Sequence, residues 1–158
     1  MKKIYLIGSL RNPDIPLIAD KVRKETKVEV FDDWFAAGPE ADDFWKAYEV
    51  SRGRSYSEGL QGYAARHVFN FDLSHLDTSD GAILALPAGR SGHLELGYMA
   101  GRGKRTYILL DRSYLDEDRW DCMYQFANIV TTNLEDIIKD INHVGMEGDH
   151  TTLSLWKE

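Results

Sequence analysis

The sequence is poor in the residues that build cross-links and metal centres. Its 158 residues include one cysteine, Cys122, so no internal disulfide can form and no cysteine cluster can hold a metal. The five histidines show no spacing typical of metal ligands. No apolar run approaches the roughly 20 residues that cross a bilayer, and the apolar segment after Lys2 and Lys3 is too short for a signal-peptide core. These absences predict a cytoplasmic protein without a metal site.

Positive charge is also scarce. The chain has 19 basic and 26 acidic residues, for a formal net charge of -7 at pH 7. This balance argues against nucleic-acid polymers and anionic membranes as partners, although a small anion needs only a local positive pocket. Hydrophobic residues make up 43% of the chain and charged residues 28%, and the length suits a single globular domain spanning residues 1–158.

Short apolar runs alternate with amphipathic segments along the chain. The predicted strands are Ile4–Ile7, Val28–Phe31, Gly81–Leu86, Arg105–Leu110 and Asn128–Thr131. The predicted helices are Pro13–Lys24, Tyr56–Leu76, Ser91–Arg105, Asp118–Ala127 and Leu134–Ile141. This alternation predicts an α/β sandwich with a five-stranded parallel sheet and helices on both faces. Asp32–Arg54, rich in aromatic and acidic residues, is predicted to be a loop with a short helix.

The turns after the first and third predicted strands are the expected place for a ligand. In open parallel sheets, ligands bind beyond the carboxyl ends of the strands, where the strand order reverses. The first turn, "GSLRNP", offers backbone N–H groups, the Ser9 hydroxyl and the Arg11 guanidinium, which together suit an anion. The later turn, "GRSG", contains Ser91 and Gly92 and is a second signal of this kind. Neither turn is a dinucleotide fingerprint or a P-loop.

Glu95 is predicted to lie in the first turn of a helix that begins at Ser91. One interpretation is an acid that complements the helix dipole. A capping box would support it, but the third residue after Ser91 is Leu94 rather than an acid. The other interpretation is a nucleophile or general base, because Leu94 and Leu96 flank the carboxylate at the ligand end of the sheet. Gly92, Gly97 and Gly101 are predicted to let this helix approach the sheet.

Three further polar residues are candidates for the site, and each also has a simpler structural interpretation. Asp72, near the end of the long predicted helix, is either a surface acid or a second carboxylate of the site. Tyr5 is predicted to point inward from the first strand, as a core tyrosine or as a hydroxyl that reaches the pocket. Asp80 lies at the amino end of the third strand, the wrong end for catalysis, and is predicted to hold a turn.

Three segments together resemble the nucleoside 2-deoxyribosyltransferase family, which includes the related 2'-deoxynucleoside 5'-monophosphate N-hydrolases. They are "YLIGSLRN", "FDLSHLDTSDGAILAL" and "GHLELGYMAGRGKR", and the resemblance covers roughly Lys3 to Leu110. It implies a flavodoxin-like, Rossmann-like three-layer sandwich. It also implies a retaining mechanism in which a glutamate attacks C1' of a 2'-deoxyribonucleoside, and a second nucleobase or water then releases the sugar.

The resemblance also implies roles for single residues. The nucleophilic glutamate of the family falls on Glu95, its base-protonating aspartate on Asp72, and its orienting tyrosine on Tyr5. In the phosphate-preferring branch, the residues that hold the 5'-phosphate fall on Gly8, Ser9, Arg11, Ser91 and Gly92. The chemistry needs no metal or organic cofactor. The expected partners are a small deoxynucleoside or deoxynucleotide and further copies of the chain, with Met123–Asn128 and the tail after Gly145 as candidate contacts.

The sequence departs from the family pattern in two places. No acid lies between Pro87 and Leu94, where many transferases carry an aspartate. The segment Asp32–Arg54 has no counterpart; with Trp34 and other aromatic residues it is either a lid that stacks on the base or a subunit contact. Two other functions stay open: an N-glycosidase of another nucleotide, such as a nicotinamide dinucleotide, and a nucleotide sensor without turnover.

Overall fold

A computed structural model of the chain describes residues 1–115 and 120–146. The strands are β1 (Lys3–Ile7), β2 (Glu29–Phe31), β3 (Gly81–Ala85), β4 (Arg105–Leu109) and β5 (Ile129–Thr131). The α-helices in this part are α1 (Ile15–Glu25), α2 (Ala41–Ser51), α3 (Tyr56–Leu60), α4 (Tyr63–Thr78), α5 (Arg90–Gly101) and α6 (Leu134–Met146). Short 3₁₀ helices span Asp33–Ala37, Arg112–Leu115 and Cys122–Phe126.

The five strands form one parallel sheet in the order β2-β1-β3-β4-β5. This is the flavodoxin-like order, so the predicted fold class is confirmed. The order reverses at β1, which pairs with β2 on one side and with β3 on the other. The crevice beyond the carboxyl ends of β1 and β3 is therefore the switch point of the sheet.

Helices cover both faces of the sheet, because alternate side chains of each strand point to opposite faces. On one face, Leu6 and Ile83 pack with Ile15 of α1 and Ile137 of α6. On the other, core residues of β1, β3 and β4 pack with Leu76 of α4 and with Leu96 and Met99 of α5. The candidate site residues project from this second layer, since Tyr5 belongs to the same cluster.

The long helix predicted over Tyr56–Leu76 is instead two helices with a break at Gln61 and Gly62. Ser55 starts α3 with a capping box, in which its hydroxyl and the Glu58 side chain bond each other's backbone N–H groups. Glu49 of α2, only 3% exposed, lies against the corner. A Cβ at Gly62 would come within 2.7 Å of a Glu49 carboxylate oxygen, so the corner requires glycine there. The hydrophobic pattern carried no sign of this contact.

The predicted loop Asp32–Arg54 is more ordered than expected. A 3₁₀ helix ends at Gly38, whose φ of +85° suits glycine, and the eleven-residue helix α2 follows. Asp42 and Asp43 lie in the first turn of α2, where negative charge complements the helix dipole. Aromatic residues around the helix obscured its period in the sequence.

Other boundaries differ by smaller amounts. Helix α5 ends at Gly101 rather than Arg105, and α6 continues through Met146, so Gly145 is helical. Of the helix predicted over Asp118–Ala127, residues 118 and 119 lie outside the described part, and the remainder contains only the 3₁₀ helix Cys122–Phe126. Residues 147–158, most of the predicted tail, also lie outside the described part. Within the described ranges, no helix is both long enough and apolar enough to cross a membrane.

Candidate active site

Tyr5 and Asp72 meet directly at the switch point. Tyr5 points inward from β1 as predicted and is buried. Its hydroxyl donates a hydrogen bond of 3.0 Å to Oδ1 of Asp72, on the last turns of α4. Burial raises the pKa of the Tyr5 phenol far above its usual range, and the negative charges of Asp72 and Glu95 raise it further. Tyr5 therefore stays protonated and acts as a donor to the carboxylate.

Glu95 does not lie in the first turn of its helix, because α5 begins at Arg90 with Gly89 as its N-cap. The prediction of a Ser91 start was wrong, since the turn after β3 is shorter than the glycines suggested. Glu95 is thus in the second turn, and the first turn contains no acid. Dipole effects fall off within the first turn, so complementing the dipole does not explain this residue.

The electrostatics of Glu95 follow from its surroundings. The side chain is half-buried beside α4. Burial raises the pKa of the Glu95 carboxyl to about 8, and the nearby charges of Asp72 and Asp42 add to this rise. A carboxyl group with such a pKa in an accessible crevice is typical of catalytic sites.

Asp72 also has a raised pKa, with opposing contributions. Burial is the largest and raises it, whereas the hydrogen bond from Tyr5 lowers it. The charge of Asp42 raises the pKa of Asp72, and that of His75 lowers it. Two acids within electrostatic reach of each other cannot both ionise easily, so the pair retains a proton to a higher pH than isolated carboxyls do.

Asp42 and His75 are residues of the site that sequence reasoning missed. Asp42, from the first turn of α2, acts on both carboxyls of the pair. His75 lies one turn beyond Asp72 and stacks on Phe31 of β2, with 3.7 Å between ring centroids. The i, i+3 spacing of Asp72 and His75 was visible in the sequence. Asp42 was hidden because its segment was predicted to be largely loop.

The predicted anion turn forms a small pocket. Ser9, Arg11, Asn12, Pro87 and Ala88 line a pocket of about 180 Å³, so the turns after β1 and β3 meet as expected. The Ser9 hydroxyl accepts a bond of 3.2 Å from the backbone N–H of Arg11. Asn12, which sequence reasoning missed, is buried, and its side chain accepts from the N–H of Asp14. The N–H groups of Arg11, Asn12 and Asp14 are therefore already bonded within the turn, which fixes its shape.

The guanidinium of Arg11 has a partner that the sequence did not predict. Its Nη2 lies 3.0 Å from Oδ2 of Asp43 on α2, and both side chains are exposed. Lys46 also contacts this carboxylate, at 2.6 Å. An incoming anion would compete with Asp43 for Arg11.

The predicted glycines have different surroundings. A Cβ at Gly8 would overlap the buried Ile15, whereas one at Gly92 would lie 3.0 Å from Ile7 and would require a small shift of its neighbours. For Gly97 and Gly101 nothing lies within 4 Å, so the prediction that they bring α5 onto the sheet was wrong. Ser91 is exposed in the first turn of α5. The N–H groups of such a turn have no partner within the helix and can serve an anion.

Trp34 and Asp80 have clear structural contacts. The Trp34 indole N–H donates to the carbonyl of Leu6 at 2.8 Å, which fixes the ring beside the end of β1. Its role in binding a substrate stays a prediction. Asp80 accepts from the backbone N–H groups of Lys2 and Lys3 at 2.5 and 3.0 Å, so it holds the start of β1 rather than the predicted turn.

The arrangement can support chemistry on a substrate that carries an anionic group. It combines two carboxyls within electrostatic reach of each other, a tyrosine donor, and the N–H groups of the first turn of α5. In the described part of the chain, no three histidine, cysteine, aspartate or glutamate side chains are grouped to hold a metal ion. The side chains brought together here offer an acid, a base or nucleophile, and hydrogen-bond donors.

Comparison with known proteins identifies the fold but no family. No family model matches the chain, and no curated protein matches it either. Among solved structures, the chain is similar to a conserved protein from Enterococcus faecalis V583, with a TM-score of 0.60 and 14% sequence identity. The match covers 90% of this chain and 98% of that one. At this identity the similarity shows a shared flavodoxin-like α/β fold, and the resemblance to deoxyribosyltransferases stays a prediction.

Proposed function

We propose that the protein cleaves or exchanges the N-glycosidic bond of a 2'-deoxyribonucleoside or its 5'-monophosphate. The observation that carries this proposal is the hydrogen bond between Tyr5 and Asp72, with Glu95 within electrostatic reach of both. Cleavage of a glycosidic bond needs two carboxyl groups, one protonated and one ionised. A coupled pair that retains one proton meets this requirement.

In the first step, a Glu95 carboxylate oxygen attacks C1' of the sugar. The bond between C1' and the base nitrogen breaks, its electron pair leaves with the base, and a glycosyl ester forms on Glu95. Asp72 supplies the proton that the departing base needs. Tyr5 holds Asp72 in position through their 3.0 Å hydrogen bond.

The second step releases the sugar. Water or a second nucleobase attacks C1', the ester bond breaks, and the Glu95 carboxylate is restored. The Asp72 carboxylate accepts the proton that the attacking group loses. Water yields a hydrolase and a nucleobase yields a transferase, so the two activities share one intermediate.

The pair must hold its proton on the correct residue. A pKa of about 8 leaves Glu95 mostly protonated at neutral pH in the free protein. The nucleophile must be ionised, so catalysis requires the proton to reside on Asp72 when substrate is bound. The positive charge that develops at C1' favours the ionised form of the nearest carboxyl, which drives this redistribution.

The turn after β1 is the proposed site for a 5'-phosphate. The turns after β1 and β3 line this pocket between Ser9 and Ala88, and Arg11 lies on its wall. An enzyme of this kind would act in nucleotide metabolism or salvage in the cytoplasm, with no cofactor.

The direct test is incubation with a panel of deoxynucleosides and their monophosphates, with and without free bases, followed by chromatography. Free deoxyribose or its 5-phosphate identifies a hydrolase, and a new nucleoside identifies a transferase. A matched ribonucleoside panel tests the preference for the 2'-deoxy sugar. Absence of turnover on every substrate, by protein that binds the same compounds, would favour a sensor and refute the proposal.

A further inference from the structure

Helices α2 and α4 face each other across a groove. The groove has a volume of about 830 Å³ and is lined by α2 from Ala41 to Tyr48 and by α4 from Tyr63 to Val68. Near the carboxyl end of α2, Glu49 packs against Gly62, the N-cap of α4. The amino end of α2 therefore lies farther along α4, toward the half of that helix that carries Asp72.

Asp42 lies on the side of α2 that faces the candidate site. It precedes Glu49 by seven residues, which make nearly two helical turns, so the two acids share one face of α2. That face packs into the protein, since Glu49 is buried. The charge of Asp42 raises the pKa of both Asp72 and Glu95, as expected for a third carboxylate beside the pair.

The next residue, Asp43, serves the other end of the site. One position along a helix turns a side chain by about 100°, and the Asp43 carboxylate bonds Lys46 at 2.6 Å and Arg11 at 3.0 Å. These two cations hold the pKa of Asp43 below its ordinary value. Within the described ranges, no cation or hydrogen-bond donor is paired with the Asp42 carboxylate. Only Asp43 is therefore neutralised by its neighbours.

The dipole of α2 does not by itself explain Asp42. Asp43 already supplies negative charge in the same first turn. A further acid near Glu95 and Asp72 raises the energy of their ionised forms, so stability alone would favour a neutral residue at position 42. Local arrangements that cost stability in this way are expected at functional sites.

We propose that Asp42 is a positioning residue that keeps a proton on the pair formed by Glu95 and Asp72. Its negative charge opposes loss of that proton, so Asp72 still has a proton for the departing base at and above neutral pH. Two other groups face the pair: Tyr5 of β1 donates to Asp72, and the charge of His75 on α4 opposes that of Asp42. This role rests on the proposed function, because it concerns the proton that the base receives.

The test compares pH–rate profiles of the unmodified protein and the Asp42→Asn variant. Without this charge, both protons of the pair should dissociate at lower pH, so both limbs of the profile should move to lower pH. The rate above the optimum should fall about three- to tenfold relative to the rate below it. Asp42→Glu keeps the charge and should keep the profile. Because Asp42 is exposed, circular dichroism should show an unchanged fold.

Glu40→Gln is the matched control. Glu40 is the N-cap of α2, its side chain makes no capping bond, and its charge is not among those that shift the pKa of Asp72 or Glu95. The variant removes the same charge two residues away and should leave the profile in place. Carbon-13 NMR titration of the carboxyl groups needs no turnover, and in Asp42→Asn it should show Glu95 and Asp72 titrating at lower pH.

The inference is overturned if Asp42→Asn lowers the rate equally at every pH, which would indicate a merely structural role. It is also overturned if Glu40→Gln moves the profile as far, or if the NMR titrations of Glu95 and Asp72 do not move. An unmoved titration in an active protein refutes only the role of Asp42. A protein that binds deoxynucleosides but turns none of them over refutes the proposed function, and proton donation by Asp72 with it.

Discussion

The Tyr5 hydroxyl and the Asp72 carboxylate are joined by a hydrogen bond of 3.0 Å, although 67 positions separate them in the chain. The bond links β1 to the end of α4 and places both residues beside Glu95, whose charge acts on Tyr5. The donated proton offsets part of the cost of burying the charge of Asp72.

Removing that hydroxyl tests its effect on Asp72. In Tyr5→Phe, the pKa of Asp72 should rise, because the bond from Tyr5 lowers it. The basic limb of the pH–rate profile, where activity is lost as the Asp72 acid deprotonates, should move to higher pH. Tyr107→Phe is the matched control, since Tyr107 is also buried and donates to an aspartate, Asp140, at 2.8 Å on the other face of the sheet. An identical shift of the pH–rate profile in both variants would contradict a specific role for Tyr5.

Replacing Glu95 by glutamine should abolish turnover while preserving the fold. The amide cannot form the glycosyl ester, so kcat should fall by about four orders of magnitude or more, the scale for loss of a covalent nucleophile. Substrate binding, measured by calorimetry, should survive. A 2'-fluoro-arabino nucleoside should trap the intermediate, and peptide mass spectrometry should find the adduct on Glu95. An adduct elsewhere, or an active variant, would reject the assignment.

The same Glu95→Gln variant should be more stable than the unmodified protein at neutral pH. The pKa of Glu95 is about 8 in the folded protein, above the ordinary value of 4.5. Between pH 4.5 and pH 8, the folded protein therefore carries a proton on Glu95 that the unfolded protein lacks. Its stability therefore falls as the pH rises through this window, and glutamine removes the loss. We expect a gain of about 1–3 kcal/mol in the free energy of unfolding at pH 8 and almost none at pH 4.

The Asp80→Asn variant should show the opposite effect of pH on stability. The N–H groups of Lys2 and Lys3 hold the pKa of Asp80 below its ordinary value, despite some burial. The Asp80 carboxylate stabilises the fold at any pH above its pKa in the unfolded protein. This stabilisation is lost as the pH falls through the pKa that Asp80 has in the folded protein. The variant should therefore be less stable at neutral pH and approach the unmodified protein in acid. Urea unfolding at several pH values measures both variants, and slopes of the same sign would refute this reasoning.

Asp72→Asn should affect substrates according to their leaving group. If Asp72 protonates the departing base, its loss should slow poor leaving bases by about 10²–10⁴-fold and activated bases much less. A series of deoxynucleosides that differ only in the basicity of the nucleobase measures the slope. An equal loss for every base would show that Asp72 orients groups without transferring a proton.

Arg11 and Asp43 should have opposite effects on phosphate binding. Arg11→Ala should weaken binding of a monophosphate by about 1.5–3 kcal/mol, as for a charge-assisted bond. Asp43→Asn should strengthen it modestly, because the guanidinium loses its competing partner. Unphosphorylated nucleosides should bind equally well to both variants in calorimetry. Equal losses for both ligand types in Arg11→Ala would mean that the residue is structural.

The sequence predicted the parts of this molecule that depend on local patterns. Uniform apolar runs such as Gly81–Ala85 identify buried parallel strands, and their order along the chain predicted the sheet and its switch point. Tyr5 and Asp80 could be assigned because strand direction fixes which end and face a residue occupies.

The remainder depends on contacts between distant segments. Glu49 lies against Gly62, thirteen positions later, and the pairing of Arg11 with Asp43 spans 32 positions. The influence of Asp42 on Glu95 depends on how α2 docks, which hydrophobic periodicity does not encode. The start of α5 at Arg90 was missed because Gly89 can cap a helix as Ser91 can, and the sequence offered both.

The buried Glu49 also constrains how this sequence can vary. A side chain at position 62 would meet its carboxylate, and a shorter residue at position 49 would leave Arg54 without its partner. Substitutions at these positions should therefore occur together in related chains. A glutamate followed by arginine five positions later and by glycine thirteen positions later forms a spaced signature. It could identify distant relatives of this protein whose overall identity is too low for recognition.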